Sequence, residues 1–259
     1  MADLINTYFI NKTNKGLNAK IDEVWEFLNY IGGFKKFATV GEHSFIIPPR
    51  IETIYVSAVG GGAGGGGGGG SCNYSSTVQN AGAGGGGGGR GHQVLDQEII
   101  VTPGETLTII VGDKGLGGIA GVSATNYYTA KNGGDGTDGE DTILKRGSTV
   151  LLNAQKGTRG FGGNRGKDLN ASVSGGRGGE LGGGQGGDSS KYSSDNAYPR
   201  PGTAGAAGTS SVFGGFGNGG SGGQGAYVTT DIAAYPGNDG VKGALVICFG
   251  SCRFKDVNW

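Results

Sequence analysis

Seven of the chain's ten tyrosines stand in five short polar inserts, and these are the residues whose type and spacing could do chemistry. The inserts are Ser71–Ala81, Val122–Asn132, Lys167–Ser174, Asp188–Arg200 and Ala226–Pro236, and they carry Tyr74, Tyr127, Tyr128, Tyr192, Tyr198, Tyr227 and Tyr235. Serine, threonine and asparagine fill most of the remaining positions. Tyrosine offers a large, stiff contact area with a polar tip, and small polar neighbours adapt their hydrogen bonds. That composition suits recognition by stacking and hydrogen bonding. The competing reading is ordinary solvated turns.

Other chemistry finds little support. Asp135, Asp138, Glu140 and Asp141 read as turn residues, and no carboxylate pairing marks a hydrolase. G-x-G-x-x-G matches are numerous but lack a strand–helix context. Gly166-Lys167 is followed by Asp168 where a phosphate loop needs Ser or Thr. Arg177-Gly178-Gly179 resembles an RNA-binding unit, but Lys+Arg and Asp+Glu balance at 21 each, so a polyanion partner is not indicated. His43 and His92 stand apart from cysteine or carboxylate clusters, so no metal and no cofactor is expected. Cys72, Cys248 and Cys252 are too few for a disulfide scaffold. Four residues of extended strand span about 13 Å, too far to bridge Cys248 and Cys252, so three free buried thiols are expected. The reading is of a non-enzyme.

The segments that must position the inserts are glycine-rich. Only four of the 62 glycines precede residue 60. Each ordered glycine costs about 0.5–1 kcal/mol relative to alanine and buries no side chain. Such a segment is either disordered or held by backbone hydrogen bonds between closely packed extended chains. The glycines step by three, as in Gly112, Gly115, Gly118 and Gly121, or Gly157, Gly160, Gly163 and Gly166. A polyproline-II helix has three residues per turn, so the step lines glycine along one edge. The unbroken runs Gly64–Gly70 and Gly84–Gly89 have glycine on every edge and suit central positions. Rods joined by turns would deliver the inserts to the ends of a bundle. Disorder is the alternative, but a flexible linker needs neither a three-residue register nor flanking strands.

Strands are predicted at Ser44–Pro48, Ile51–Val59 and Ala244–Phe249. Two hairpins are predicted, Gln93–Thr102 with Glu105–Val111, and Thr142–Lys145 with Thr149–Ala154. At the N-terminus Leu17, Ile21, Val24, Leu28 and Ile31 form a heptad stripe, which predicts a helix over about 17–31. It would pack on its own domain or serve as an attachment helix. The fold class is therefore mainly irregular/β, with an N-terminal helix, a small β base and a packed bundle of polyglycine/polyproline-II helices. The domains are 1–40, an attachment or trimerisation segment, and 41–259, a glycine-rich receptor-binding domain. No apolar run is long enough for a membrane helix. The N-terminus lacks a signal pattern, which points to synthesis in a cytoplasm.

Glycine runs alternating with polar, aromatic segments resemble the tail-fibre tip adhesins of T-even-type bacteriophages. The stretches PPRIETIYVSAVGGGAGGGGGGG, VTPGETLTIIVG and GVKGALVICFG also resemble a wider glycine-rich module of phage tail proteins, over about residues 43–250. The resemblance implies a layered polyglycine-II sandwich whose loops bind the host. It implies a virion protein at the tail-fibre tip, made in the host cytoplasm. Its partners would be a bacterial outer-surface receptor, either outer-membrane protein loops or surface glycan, and a tail-fibre protein or itself as a homotrimer. A different class also fits a glycine-rich bundle. An ice-binding protein would show a flat face of small residues, hinted at by Thr203, Ala204, Ala206 and Ala207.

Overall fold

The computed structural model describes residues 16, 19–20, 32–75, 78–125, 129–166, 172–189, 200–209, 212–227 and 233–259. The strands are β1 (Gly33–Phe37), β2 (Gly41–Ile46), β3 (Thr53–Val59), β4 (Cys72–Ser75), β5 (Val78–Asn80), β6 (Gln93–Ile100), β7 (Thr106–Val111), β8 (Thr142–Arg146), β9 (Thr149–Ala154) and β10 (Ala244–Phe249). One four-stranded sheet runs β1-β10-β3-β6 and a second runs β2-β7-β8-β9, while β4 and β5 pair alone. Every strand pair is antiparallel.

Alternation along the strands explains how the two sheets stack. Ile54, Val56 and Ala58 of β3, with Leu245 and Ile247 of β10, meet Leu107, Ile109 and Val111 of β7, Leu144 of β8 and Leu152 of β9 in one buried core. The intervening residues Val59, Ala244, Val246 and Cys248 face the other way. There they are covered by Phe213, Cys252, Phe254 and Val257. Thus β10 is buried on both faces and reads as an unbroken apolar run, while β3 buries Ser57 among its apolar residues.

Between the sheets and the inserts lie ten extended glycine-rich segments. Segment 60–70 donates the N–H of Gly61, Gly64, Gly67 and Gly70 to 131–140, that of Gly62, Gly65 and Gly68 to 235–241, and that of Ala63, Gly66 and Gly69 to 83–89. Its carbonyls accept from 157–166, 115–121 and 220–226 in the same rotation. It therefore has six neighbours. Segment 82–91 likewise has six: 155–164, 181–187, 217–226, 202–208, 63–69 and 176–179. The eight outer segments are bonded to one another in a closed ring. For example, Gly136 N donates to Gly160 O, Phe161 N to Arg177 O, Gly186 N to Gly176 O, Gly187 N to Thr203 O, and Gly240 N to Gly115 O.

This connectivity gives three rows. The middle row is 113–122, 60–70, 82–91 and 181–187. One outer row is 131–140, 157–166 and 173–179, and the other is 235–243, 217–226 and 202–208. Every N–H from Gly60 to Gly70 and from Gly82 to His92 is donated, as the rule for buried backbone groups requires. Glycine on all edges is needed at these two centres because six chains crowd each one. An outer segment faces the centre at every third residue, hence the three-residue ladders.

The expected fold class is corrected. The described residues contain no helix of seven or more residues, and the 3-10 turn Phe254–Asp256 is the helical element among the named ones. The structure is organised by strands in two antiparallel sheets. The glycine segments are extended chains bonded between neighbours, with no helix bundle, because their donors and acceptors point sideways to other segments. Of the expected N-terminal helix, the described residues are Gly16, Ala19 and Lys20, each helical and exposed. Leu17, Ile21, Val24, Leu28 and Ile31 lie outside the described residues.

Two local expectations are also corrected. Gln93–Thr102 and Glu105–Val111 do not form a hairpin. β6 pairs with β3, whereas β7 pairs with β2 and β8, so the turn at Pro103-Gly104 passes the chain from one sheet to the other. Both strands present apolar residues to the same interior from opposite sides, and a turn signal does not distinguish the two arrangements. Arg146 holds this crossover: its Nε and Nη2 donate to the two Glu105 carboxylate oxygens at 2.9 Å, and Nη2 also donates to Ile100 O at 2.6 Å. Secondly, Cys248 and Cys252 do meet, with Sγ atoms 3.1 Å apart. Gly250, at φ +65°, turns the chain back after β10, so the four-residue span is not extended. Both thiols are free and buried.

Candidate functional site

The strand order decides where the inserts emerge. Segment 60–70 leaves β3, 112–122 leaves β7 and 155–166 leaves β9, all heading away from the sheets. Segments 82–91, 133–141 and 236–243 return to β6, β8 and β10. At the far end Gly70 N donates to Lys131 O, Gly166 N to Gly70 O, Gly82 N to Ala226 O, Gly202 N to Gly82 O and Ser189 N to Val173 O. The chain ends of all five inserts therefore share one level, opposite the sheets. At the near end Gly61 N donates to Glu140 O and Arg90 N to Leu181 O.

The inserts are tied to one another at their roots. Cys72 bridges Ala124 in parallel, and Ser71 N donates to Ser123 Oγ at 3.0 Å. Arg165 donates through Nη1 to Ala130 O at 2.7 Å. Val173 N donates to Ser189 Oγ at 3.3 Å. A contact surface here would rest on central segments whose N–H groups from Gly60 to Gly70 and from Gly82 to His92 are all donated, which limits the ordering cost of binding.

The tyrosines are placed unequally. Tyr74 lies in β4, one strand of the small β4–β5 pair. Tyr235 is 54% exposed and borders a groove of about 370 Å³ with Ala204, Ser221, Gln224, Pro236 and Asn238. Tyr227 is half-buried. Tyr127, Tyr128, Tyr192 and Tyr198 lie outside the described residues.

The acidic residues expected in turns are instead on a straight segment with a definite task. Asn132, Asp135, Asp138 and Asp141 step by three along the outer row. Their side-chain oxygens accept from the N–H groups of Arg165, Gly162, Arg159 and Lys156 at 2.9–3.0 Å. These donors face outward, where no further chain follows. Every N–H from Arg159 to Gly166 is thereby satisfied. Thr137 and Glu140 do the same for Leu116 and Asp113. Asp239 accepts from Gly117 N at 2.8 Å and Lys114 Nζ at 2.7 Å. The Lys114 hydrogen bond first, then the Gly117 amide, holds its carboxyl below the usual carboxylate range. The side chains thus blunt the edges of the array, and their periodicity, matched to the glycine ladder, was the signal that a turn reading missed.

One cluster escaped the sequence reading altogether. Arg159, Phe161 and Arg177 come together on an outer row, with both guanidinium groups over the Phe161 ring. The motif RGFGGNRG holds the first two, but only the packing of 157–166 against 173–179 brings Arg177 to them.

Among the described residues no helix is long and apolar enough to cross a membrane. A search of curated proteins finds no match. A family model described as a glycine-rich domain matches residues 38–251, which takes in every strand except β1 and the whole array, and the chain belongs to that family.

Proposed function

We propose that this chain is a receptor-binding protein of a bacteriophage tail fibre, which recognises a bacterial surface receptor through its tyrosine- and serine-rich inserts. The observation that carries this reading is the emergence of all five inserts at one end of a rigid array, opposite the sheets. A protein needing only a spacer has no use for tyrosine-rich inserts gathered on one level. Tyr74, Tyr127, Tyr128, Tyr192, Tyr198, Tyr227 and Tyr235 would supply stacking surface and phenol hydrogen bonds. The receptor would be outer-membrane protein loops or surface glycan. The sheet end would face the fibre, with residues 1–31 leading to it, and the protein would be part of the virion.

The test is adsorption of the labelled chain to a panel of Gram-negative bacteria, read by flow cytometry. Alanine at the tyrosines of a single insert should reduce binding at least tenfold with an unchanged thermal melt. Binding that survives alanine at all seven tyrosines refutes the role.

A further inference from the structure

A second site lies on the flank of the array, away from the inserts. A groove of about 380 Å³ is lined by Asp138, Thr158, Arg159, Phe161, Arg177 and Glu180, with the backbone of Gly178 and Gly179. The guanidinium carbon of Arg177 stands 4.7 Å from the centroid of the Phe161 ring, and that of Arg159 stands 5.7 Å from it. Both arginines are exposed and Phe161 is half-buried. Stacking on a common ring holds the two planar groups at one place.

Among the described residues neither cation forms an ion pair. The ion pairs among the described residues join Lys114 to Asp239, Arg146 to Glu105 and Lys156 to Asp138, and none involves Arg159 or Arg177. Asp138 is already engaged, since one oxygen accepts from Arg159 N at 3.0 Å and the other pairs with Lys156 Nζ at 3.3 Å. Glu180 is the remaining carboxylate in the lining, and its backbone N–H is fixed by Thr158 Oγ1 at 2.6 Å. The floor cannot yield, because Gly176 and Gly179 abut the backbone of Phe161 and Thr158.

From this arrangement we infer that the groove binds an acidic saccharide. Arg159 and Arg177 take its carboxylate or phosphate oxygens, and Glu180 accepts from its ring hydroxyls. Guanidinium forks match planar or tetrahedral oxyanions bidentately, which a lysine cluster does not. A free anion would leave the carboxylate of Glu180, in the same lining, unused, so a group carrying both an oxyanion and hydroxyls fits better. The site does not depend on the tyrosine reading, as it shares no residue with the inserts.

Isothermal titration of the whole chain at low salt tests this, with digalacturonate, glucose 6-phosphate, maltose and inorganic phosphate as probes. One of the two acidic sugars should bind at least tenfold more tightly than maltose and inorganic phosphate, and which one does so identifies the oxyanion. Arg159→Ala with Arg177→Ala should lose that binding with an unchanged melting midpoint. Arg177→Lys should weaken it several-fold although the charge stays, and 0.5 M NaCl should weaken it further. Glu180→Gln should narrow the gap between the acidic sugar and inorganic phosphate. The inference is overturned if no probe binds the parent chain, if inorganic phosphate binds as well as the sugars, or if Arg177→Lys and the double alanine variant bind like the parent.

Discussion

Gly66→Ala tests the array at its centre. Gly66 N donates to Gly86 O at 2.8 Å, and Gly66 O accepts from Gly223 N at 2.8 Å. A Cβ at this position would overlap the Phe161 carbonyl and stand 2.7 Å from Gly162 N. That carbonyl is itself engaged by Gly86 N at 2.9 Å. The backbone of a neighbour must move, and at least three hydrogen bonds are strained together. A buried donor or acceptor left unsatisfied costs about 1–3 kcal/mol. Gly66 is not in the left-handed region, so alanine carries no φ penalty and gains about 0.4–1 kcal/mol from a stiffer unfolded chain. The expected net loss is about 2–8 kcal/mol, read as a fall in the urea midpoint. Gly134→Ala is the control, because its Cβ would meet Cγ1 of the exposed Ile119 side chain at 2.9 Å, which a change of χ1 moves aside, and backbone only at 3.3 Å, from Ile119 N. Ala63 and Ala83, both fully buried, show that the array can take a methyl where its surroundings allow one. Equal midpoints for Gly66→Ala, Gly134→Ala and the parent would refute the close-packed backbone argument.

The edge caps can be tested by Asp135→Ala, which should cost about 1 kcal/mol and speed amide exchange at Gly162, whereas Asp135→Asn keeps an acceptor and should leave both near the parent, as Asn132 does naturally; identical behaviour of the two variants would count against a capping role. Arg146→Ala should cost about 1 kcal/mol near neutral pH, since the pair is partly exposed. The Arg146 hydrogen bond holds the Glu105 carboxyl low, so this contribution is present above the ordinary carboxylate pKa of about 4.3 and is lost as pH falls through the lowered value, leaving the bond to Ile100 O; a stability difference that does not shrink between pH 7 and pH 2 would contradict the assignment. Burial pushes the Cys248 and Cys252 thiols up. Unfolded thiols ionise above about pH 8.5 while the strongly shifted Cys248 stays protonated, so stability should fall by up to about 1.4 kcal/mol per pH unit for that thiol, with a contribution of the same sign from Cys252. Urea melts of the parent between pH 8 and 10 should be steeper in pH than those of Cys248→Ala with Cys252→Ala, and parallel curves would be the contrary result.

What residue types and their periods can announce was legible. The short β-branched and apolar stretches became strands at Thr149–Ala154 and Ala244–Phe249 with the expected limits. The unbroken runs Gly64–Gly70 and Gly84–Gly89 declared that these positions admit no side chain, and they sit where six chains converge. Both follow from local chemistry, since an absent Cβ and a β-branched, apolar stretch are properties of the chain itself. The same local chemistry was silent about partners. Whether Pro103-Gly104 closed a hairpin or joined two sheets depended on which strand lay beside β6, and that was β3. Whether Asp135 was a turn residue or a cap depended on an outward N–H of Gly162, 27 positions away. The Arg159–Phe161–Arg177 cluster and the thiol contact after Gly250 arose in the same way. Composition and periodicity determined that this chain packs by its backbone. Only the tertiary structure decided which segment lies against which, because six-sided packing of near-identical glycine strands is directed by the sheets that start and end them rather than by any feature of the strands.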